Sequence, residues 1–135
     1  GKLSQHDMSP ALIYKNSNPV VALGTPGGTG ITQTTAQVIH KIISEKFDIG
    51  NSISDDRYRY FGNNNFKIEN VNKLTKSYLL NIGHIINDPN LNDPNNLFET
   101  NKIWPGGFNA ITIDKNKNLF TSASDWRRNC SAMSF

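Results

Sequence analysis

"LGTPGGTGITQTTAQVIHKII", Leu23 to Ile43, runs from the end of an apolar segment through a glycine turn into a helical stripe, and its reading decides the fold. From Gly30 onward, Ile31, Thr35, Val38, Ile39, Ile42, Ile43 and Phe47 recur at three- and four-residue spacing. That period predicts one amphipathic helix ending near Asp48 to Gly50. His40 falls off the stripe and reads as a solvated helix residue. Upstream, Ala11 to Tyr14 and Val20 to Leu23 are short apolar runs separated by Lys15, Asn16, Ser17, Asn18 and Pro19, the pattern of a β-hairpin.

The turn itself excludes several uses of glycine. "GTPGGTG" is followed by no Lys-Ser or Lys-Thr pair and does not fit G-x-G-x-x-G, so neither nucleotide-binding loop is present. Pro26 fixes its own φ, and Gly27 and Gly28, lacking Cβ atoms, can turn their amides toward a neighbouring group. Two successive N–H groups at a helix start form an anion nest, able to hold a carboxylate or phosphate or to stabilise a developing oxyanion. A plain strand-to-helix connection needs glycines too. An anion-binding protein using the nest alone has the least support, because the nearby sequence supplies no Arg or Lys clamp.

Beyond the first helix, "ISDDRYRYFG" reads as a structural ion-pair cluster of Arg57 and Arg59 with Asp55 and Asp56, and "FKIE" as a strand. Val71, Leu74, Tyr78, Leu79 and Ile82 give a second helical stripe capped by Gly83, with His84 packed just past the cap. "NDPNLNDPNN", Asn87 to Asn96, is turn chemistry and reads as a loop. Its Asp and Asn oxygens lack the Gly and bidentate Glu of a calcium loop. Strands follow at Asn109 to Asp114 and Leu119 to Ser122, around a Lys-Asn-Lys-Asn turn. The order β-β-α-β-α-loop-β-β is α+β: a mostly antiparallel sheet with helices on one face.

At 135 residues and 36% hydrophobic composition, the chain suits one domain, or part of one, rather than two. The net charge of +3 comes from interleaved signs rather than a basic face, so a nucleic-acid partner is not indicated. No apolar run reaches the length of a membrane span. Cys130 is the single cysteine and reads as a small filler, while "NCS" at Asn129 to Ser131 fits a short glycosylation pattern. No cofactor or metal site is expected.

"MSPALIYKNSNPVVALGTPGGTGITQTTAQVI" resembles a segment of the gamma-glutamyltransferase (gamma-glutamyltranspeptidase) family, where Met-Ser-Pro precedes a hairpin, a Gly-Ser-Pro-Gly-Gly turn and a long helix. Met8-Ser9-Pro10 and Gly24-Thr25-Pro26-Gly27-Gly28 occupy those positions. "DDRYRYF" resembles the family's Ala-Pro-Arg-Phe at Arg57, "GGFNAITI" its Gly-x-x-Asn/Gln-x-Ile strand, and "SASDWRR" its Ala-Ser-Asp-Pro-Arg at Ala123 to Arg127. The likeness covers essentially the whole chain.

The resemblance implies an N-terminal-nucleophile hydrolase with a four-layer αββα fold, made of two subunits by self-cleavage of one precursor. It further implies an N-terminal Thr that attacks a γ-glutamyl amide, with its own α-amine as base. Gly27 and Gly28 would form the oxyanion hole. His6 and Asp7 stand where the family carries the Ser-Ser that holds the glutamyl α-carboxylate, with Ser4 a partial equivalent across a two-residue insertion. Residues 1–135 would then be a single partial domain, the C-terminal part of the small subunit, without the nucleophile. Such a piece would be inactive alone, with the large subunit and the rest of the small subunit as partners. Self-association through an uncovered apolar sheet face is also expected, as is a periplasmic or extracellular placement by family habit. Asn87 to Pro105, including Trp104, reads as an insertion; Asp125 and Arg127 read as a structural pair, and Trp126 as core or interface.

Overall fold

The computed structural model describes residues 6–87 and 106–133. The hairpin is present: β1 (Ala11–Lys15) and β2 (Asn18–Gly24) pair antiparallel with Ala11 opposite Leu23. β2 continues onto β6 (Asn109–Asp114), which pairs with β7 (Leu119–Ser124), giving a four-stranded antiparallel sheet in the order β1-β2-β6-β7. The final strand runs two residues beyond its expected end.

Strand alternation sorts this sheet into two faces. Val21, Leu23 and Ala110 point to one side and are buried with Val38, Ile49, Ile53 and Phe108 as the core. On the other side Leu12, Ile111 and Phe120 are exposed. Among the described residues, helices therefore cover one face only.

Those helices differ from the expected one. α1 (Ile31–Ile43) buries Ile31, Thr35 and Val38 as the period demands, but it stops at Ser44. Lys46 takes a φ of +58°, a left-handed conformation that no helix continues through. The chain then restarts as a short helix, α2 (Ile49–Ser54), whose N-cap Asp48 accepts the Asn51 N–H at 3.0 Å. The expected single helix over 31–50 is thus two elements, and Phe47 belongs to the joint between them. α2 packs over β6 and β7, bringing Ile49 and Ile53 into the core.

A second, smaller sheet was not expected as such. β3 (Tyr58–Tyr60) pairs antiparallel with β4 (Asn65–Ile68), and β4 pairs parallel with β5 (Ile85–Asn87). α3 (Lys73–Asn81) links β4 to β5, N-capped by the Asn72 side chain, which accepts from Thr75 N–H at 2.8 Å. Its apolar stripe is not buried within the described residues: Leu74 is 85% exposed. His84 sits past the helix end, edge-on to Phe66 with ring centroids 4.8 Å apart, so it is a packed residue. His40 is solvent-facing and 3.6 Å from Glu45. The Asn87–Asn96 loop beyond residue 87, its calcium reading and Trp104 lie outside the described residues.

Three local expectations need correction. Arg57 does not pair with Asp55 or Asp56; it reaches Asp125, 68 positions away, at 2.6 Å. Asp55 instead pairs with Lys41 of α1, because the restart as α2 turns the Asp55 side chain toward α1. Trp126 is 70% exposed, which overturns the core half of its core-or-interface reading, and the Arg127 guanidinium lies 4.8 Å over its ring.

Candidate functional site

The glycine turn lies at the end of β2, on the central part of the larger sheet, and leads into a single 3-10 turn (Gly28–Gly30) and then α1. Gly27 has φ +147° and Gly28 φ +56°, conformations that L side chains seldom adopt. Both amides precede the first hydrogen-bonded turn, and neither has a partner among the described residues. They are the open donors of a helix start, where the helix dipole favours negative charge.

A second glycine pair, just before β6, holds this turn in place. Thr25 Oγ1 accepts the Gly107 N–H at 2.9 Å and itself donates to Pro26 O at 2.9 Å. Gly106, at φ +81°, lies so close that a Cβ there would be 2.4 Å from Thr25 Oγ1 and 3.0 Å from Pro26 O. Gly107 in turn packs on the stem of Arg128. The supporting role of Gly106 and Gly107 escaped the sequence reading, although the residues themselves stand in "PGGFNAITI".

Behind the glycine pair is a buried ionic cluster. Asp125 and Arg57 have fully buried side chains; Asp125 Oδ2 accepts from Arg57 Nη2 at 2.6 Å and from Phe108 N–H at 3.2 Å. Asp125 Oδ1 accepts from the N–H and Nη1 of Arg127, each at 3.1 Å, so the expected Asp125–Arg127 pair is present as the lesser half of a larger network. Arg127 also forks onto Glu69, Nε to Oε1 at 2.7 Å and Nη2 to Oε2 at 2.6 Å. Its Nη groups donate to the carbonyls of Ile53, Ser54 and Asp55, capping the C-terminal end of α2. Burial alone would raise the Asp125 pKa, but the charges and hydrogen bonds of Arg57 and Arg127 outweigh it and hold it below 3.8. The cluster is structural, and by clamping Phe108 it fixes the segment that leads from Gly106 and Gly107 into β6.

Contrary to the expectation that no clamp lies near the turn, β3 delivers Arg59 to it. Arg59 donates through Nη2 to Thr29 Oγ1, and a Cβ on Gly30 would be 3.0 Å from its Nη1. Its guanidinium stacks 4.7 Å from the Phe61 ring centroid. Burial lowers the Arg59 pKa from its usual value, while the negative charge of Asp7 acts in the opposite sense. Asp7 is half-buried and His6 exposed. Ser4 lies outside the described residues. The signal in sequence was period-two alternation in "RYRYF", which sends Arg57 and Arg59 to the side opposite Tyr58 and Tyr60. Among the described residues no cluster of His, Cys, Asp and Glu could hold a metal ion, and no helix is long and apolar enough to cross a membrane.

The architecture matches that of a solved N-terminal-nucleophile hydrolase, a gamma-glutamyltranspeptidase from Pseudomonas nitroreducens complexed with L-DON. The TM-score is 0.80 at 18% identity, over 100% of this chain and 65% of that one. The family model for gamma-glutamyltranspeptidase matches residues 1–135, and the chain belongs to that family. Among curated relatives, the glutathione hydrolase proenzyme of Bacillus subtilis (strain 168) is 25% identical over 127 residues, covering 93% of this chain. The capsule biosynthesis protein CapD proenzyme of Bacillus anthracis is 26% identical over 132 residues, covering 96%. The chain spans 20% and 22% of the lengths of these two relatives.

Proposed function

We propose that these residues are one partial domain, the C-terminal part of the small subunit, of an enzyme that hydrolyses or transfers a γ-glutamyl group. In this reading a Thr hydroxyl supplied by another part of the protein adds to the amide carbonyl and passes its proton to the free α-amine. The carbonyl oxygen takes up negative charge, and collapse expels the amine, which takes a proton, leaving an acyl-enzyme for water or an acceptor amine. Gly27 and Gly28 N–H groups stabilise that oxygen.

The observation that carries the reading is the open pair of amides at Gly27 and Gly28, braced by Gly106, Gly107 and Thr25 at a helix start. The exposed face bearing Leu12, Ile111 and Phe120 would be covered by the other β-layer of the sandwich, from the large subunit and the rest of the small subunit. Separated from those parts, the chain would be inactive and would self-associate through this face, which light scattering would detect. Placement outside the cytoplasm belongs to the same reading.

The test is the full-length precursor, followed by mass spectrometry for self-cleavage and assayed on a γ-glutamyl chromogenic amide, beside Gly28→Val. Turnover with a Thr-terminated subunit, lost in a variant that still cleaves and folds, supports the oxyanion hole at this turn. Self-cleavage without turnover of γ-glutamyl amides would favour an acylase of other amide specificity. The half-buried Asp7 at a carboxylate-binding position favours that second reading. Absence of cleavage would favour a non-catalytic association module.

A further inference from the structure

We propose that Thr25 is a positioning residue whose hydroxyl latches the Gly27 N–H toward the reacting carbonyl oxygen, an inference that rests on the acyl-transfer reading above and deepens it. In a planar trans peptide the carbonyl and the following N–H point in opposite directions, so whatever holds one aims the other. The Pro26–Gly27 bond is trans. The Gly27 N–H therefore shares its plane with Pro26 O, and that oxygen accepts the Thr25 hydroxyl at 2.9 Å. The hydroxyl is itself anchored, because Oγ1 accepts the Gly107 N–H at 2.9 Å.

Rotation of this plane meets little other resistance. It turns about ψ of Pro26 and φ of Gly27 together; the proline ring fixes φ but leaves ψ free, and Gly27, at φ +147°, has no Cβ to oppose the turn. The neighbouring plane is secured differently. The Gly28 N–H shares it with Gly27 O, which accepts the Gly30 N–H at 3.3 Å, a backbone bond that no side chain supplies. Of the two open amides, then, the Gly27 N–H is the one aimed by a side chain. Pro26 O now lies against Gly106, where a Cβ would be 3.0 Å from it. A flipped plane would carry the N–H to that side and put a carbonyl oxygen where the developing oxyanion needs a donor. One donor is withdrawn and one negative dipole introduced.

The experiment uses the full-length, self-cleaved protein and a γ-glutamyl anilide. Thr25→Val keeps the shape of the side chain and removes the hydroxyl. Its kcat should fall about 10- to 100-fold while KM stays within about threefold, the pattern of a contact made only in the transition state and a scale between one hydrogen bond and one oxyanion donor. Thr25→Ala removes the same hydroxyl with less bulk and should match it. Thr25→Ser restores the hydroxyl and should bring kcat back to within about threefold of the unaltered protein. An unchanged kcat in Thr25→Val, a loss carried by KM alone, or an equal loss in Thr25→Ser would overturn the inference. If the unaltered protein turns over no γ-glutamyl amide, the acyl-transfer reading fails by itself, and a crystal structure of Thr25→Val then judges the latch, as it does if that variant fails to self-cleave. A Pro26–Gly27 plane turned over, or split between two orientations, supports the assignment, whereas a single unaltered orientation overturns it.

Discussion

Gln37 and Tyr58 exchange two hydrogen bonds as though the side-chain amide were a neighbouring strand: Tyr58 N–H donates to Gln37 Oε1 at 3.0 Å, and Gln37 Nε2 donates to Tyr58 O at 2.8 Å. Gln33 repeats the exchange with Tyr60 at 2.9 and 3.1 Å. The match is geometric. Residues four apart on a helix rise about 6 Å, and residues two apart on a strand about 6.6 Å, so two glutamines on one helix face meet alternate residues of one edge. The free edge of β3 is thereby closed to other strands.

Replacing both glutamines, Gln33→Ala with Gln37→Ala, should lower stability by about 1–2 kcal/mol, because water can reach most of the freed groups. It should also introduce concentration-dependent association. Urea unfolding and sedimentation measure the two effects. Gln37→Glu keeps the acceptor for Tyr58 N–H but loses the donor to its carbonyl, so its cost should be the smaller one.

Asp125→Ala removes the carboxylate that faces Arg57 and the acceptor for Phe108 N–H, all within the interior. A loss of about 3–5 kcal/mol is expected, the scale for breaking a buried ion pair from one side. Chemical denaturation checks it, and a loss under 1 kcal/mol would mean that the rest of the network carries the site.

The same carboxylate sets an acid limb. Its folded pKa is lowered from 3.8, so its contribution is fully present above that unfolded value and is lost as pH falls through the folded one. Melting temperature should therefore drop steeply below about pH 4. In Asp125→Asn the drop should be shallower, from a lower starting stability. Parallel curves for the two proteins would show that Asp125 does not set the limb.

Gly106→Ala should be more disruptive than Gly28→Ala. Both require a left-handed residue, which costs about 1–2 kcal/mol, but only Gly106 faces backbone and a threonine hydroxyl within 3.0 Å. Gly28 has open space around it. Thermal unfolding should rank the variants in that order. Gly106→Ala should also displace Thr25 and abolish turnover of a γ-glutamyl amide by the full-length protein.

The larger sheet and the first helix were legible because their signals are plain: Val20 to Leu23 is a short apolar run set off by turn formers, and Ile31, Thr35 and Val38 follow the helical stripe. The break at Ser44 was not, since Phe47 and Ile49 prolong the apolar rhythm across a left-handed Lys46. The α3 stripe was read correctly as a helix, but periodicity carries no information on what covers it, and Leu74 is exposed here. The glycine turn was visible as a motif. Its supports were not, because Gly106 and Arg59 lie 79 and 32 positions from Gly27 in sequence, and only the folded backbone brings them together.

The ionic cluster around Asp125 has a bearing on how the chain is made. Arg57 and Glu69 leave the ribosome well before Asp125 and Arg127, so for more than 50 residues of synthesis the buried centre of the domain waits for its closing charges. Until they arrive, neither Phe108 nor the α2 terminus has the contacts that fix it, and the amides of Gly27 and Gly28 stand on an unfinished support. The long-range pairing makes completion of the site wait for residues 125–127, ordered by the direction of translation rather than by local helix formation.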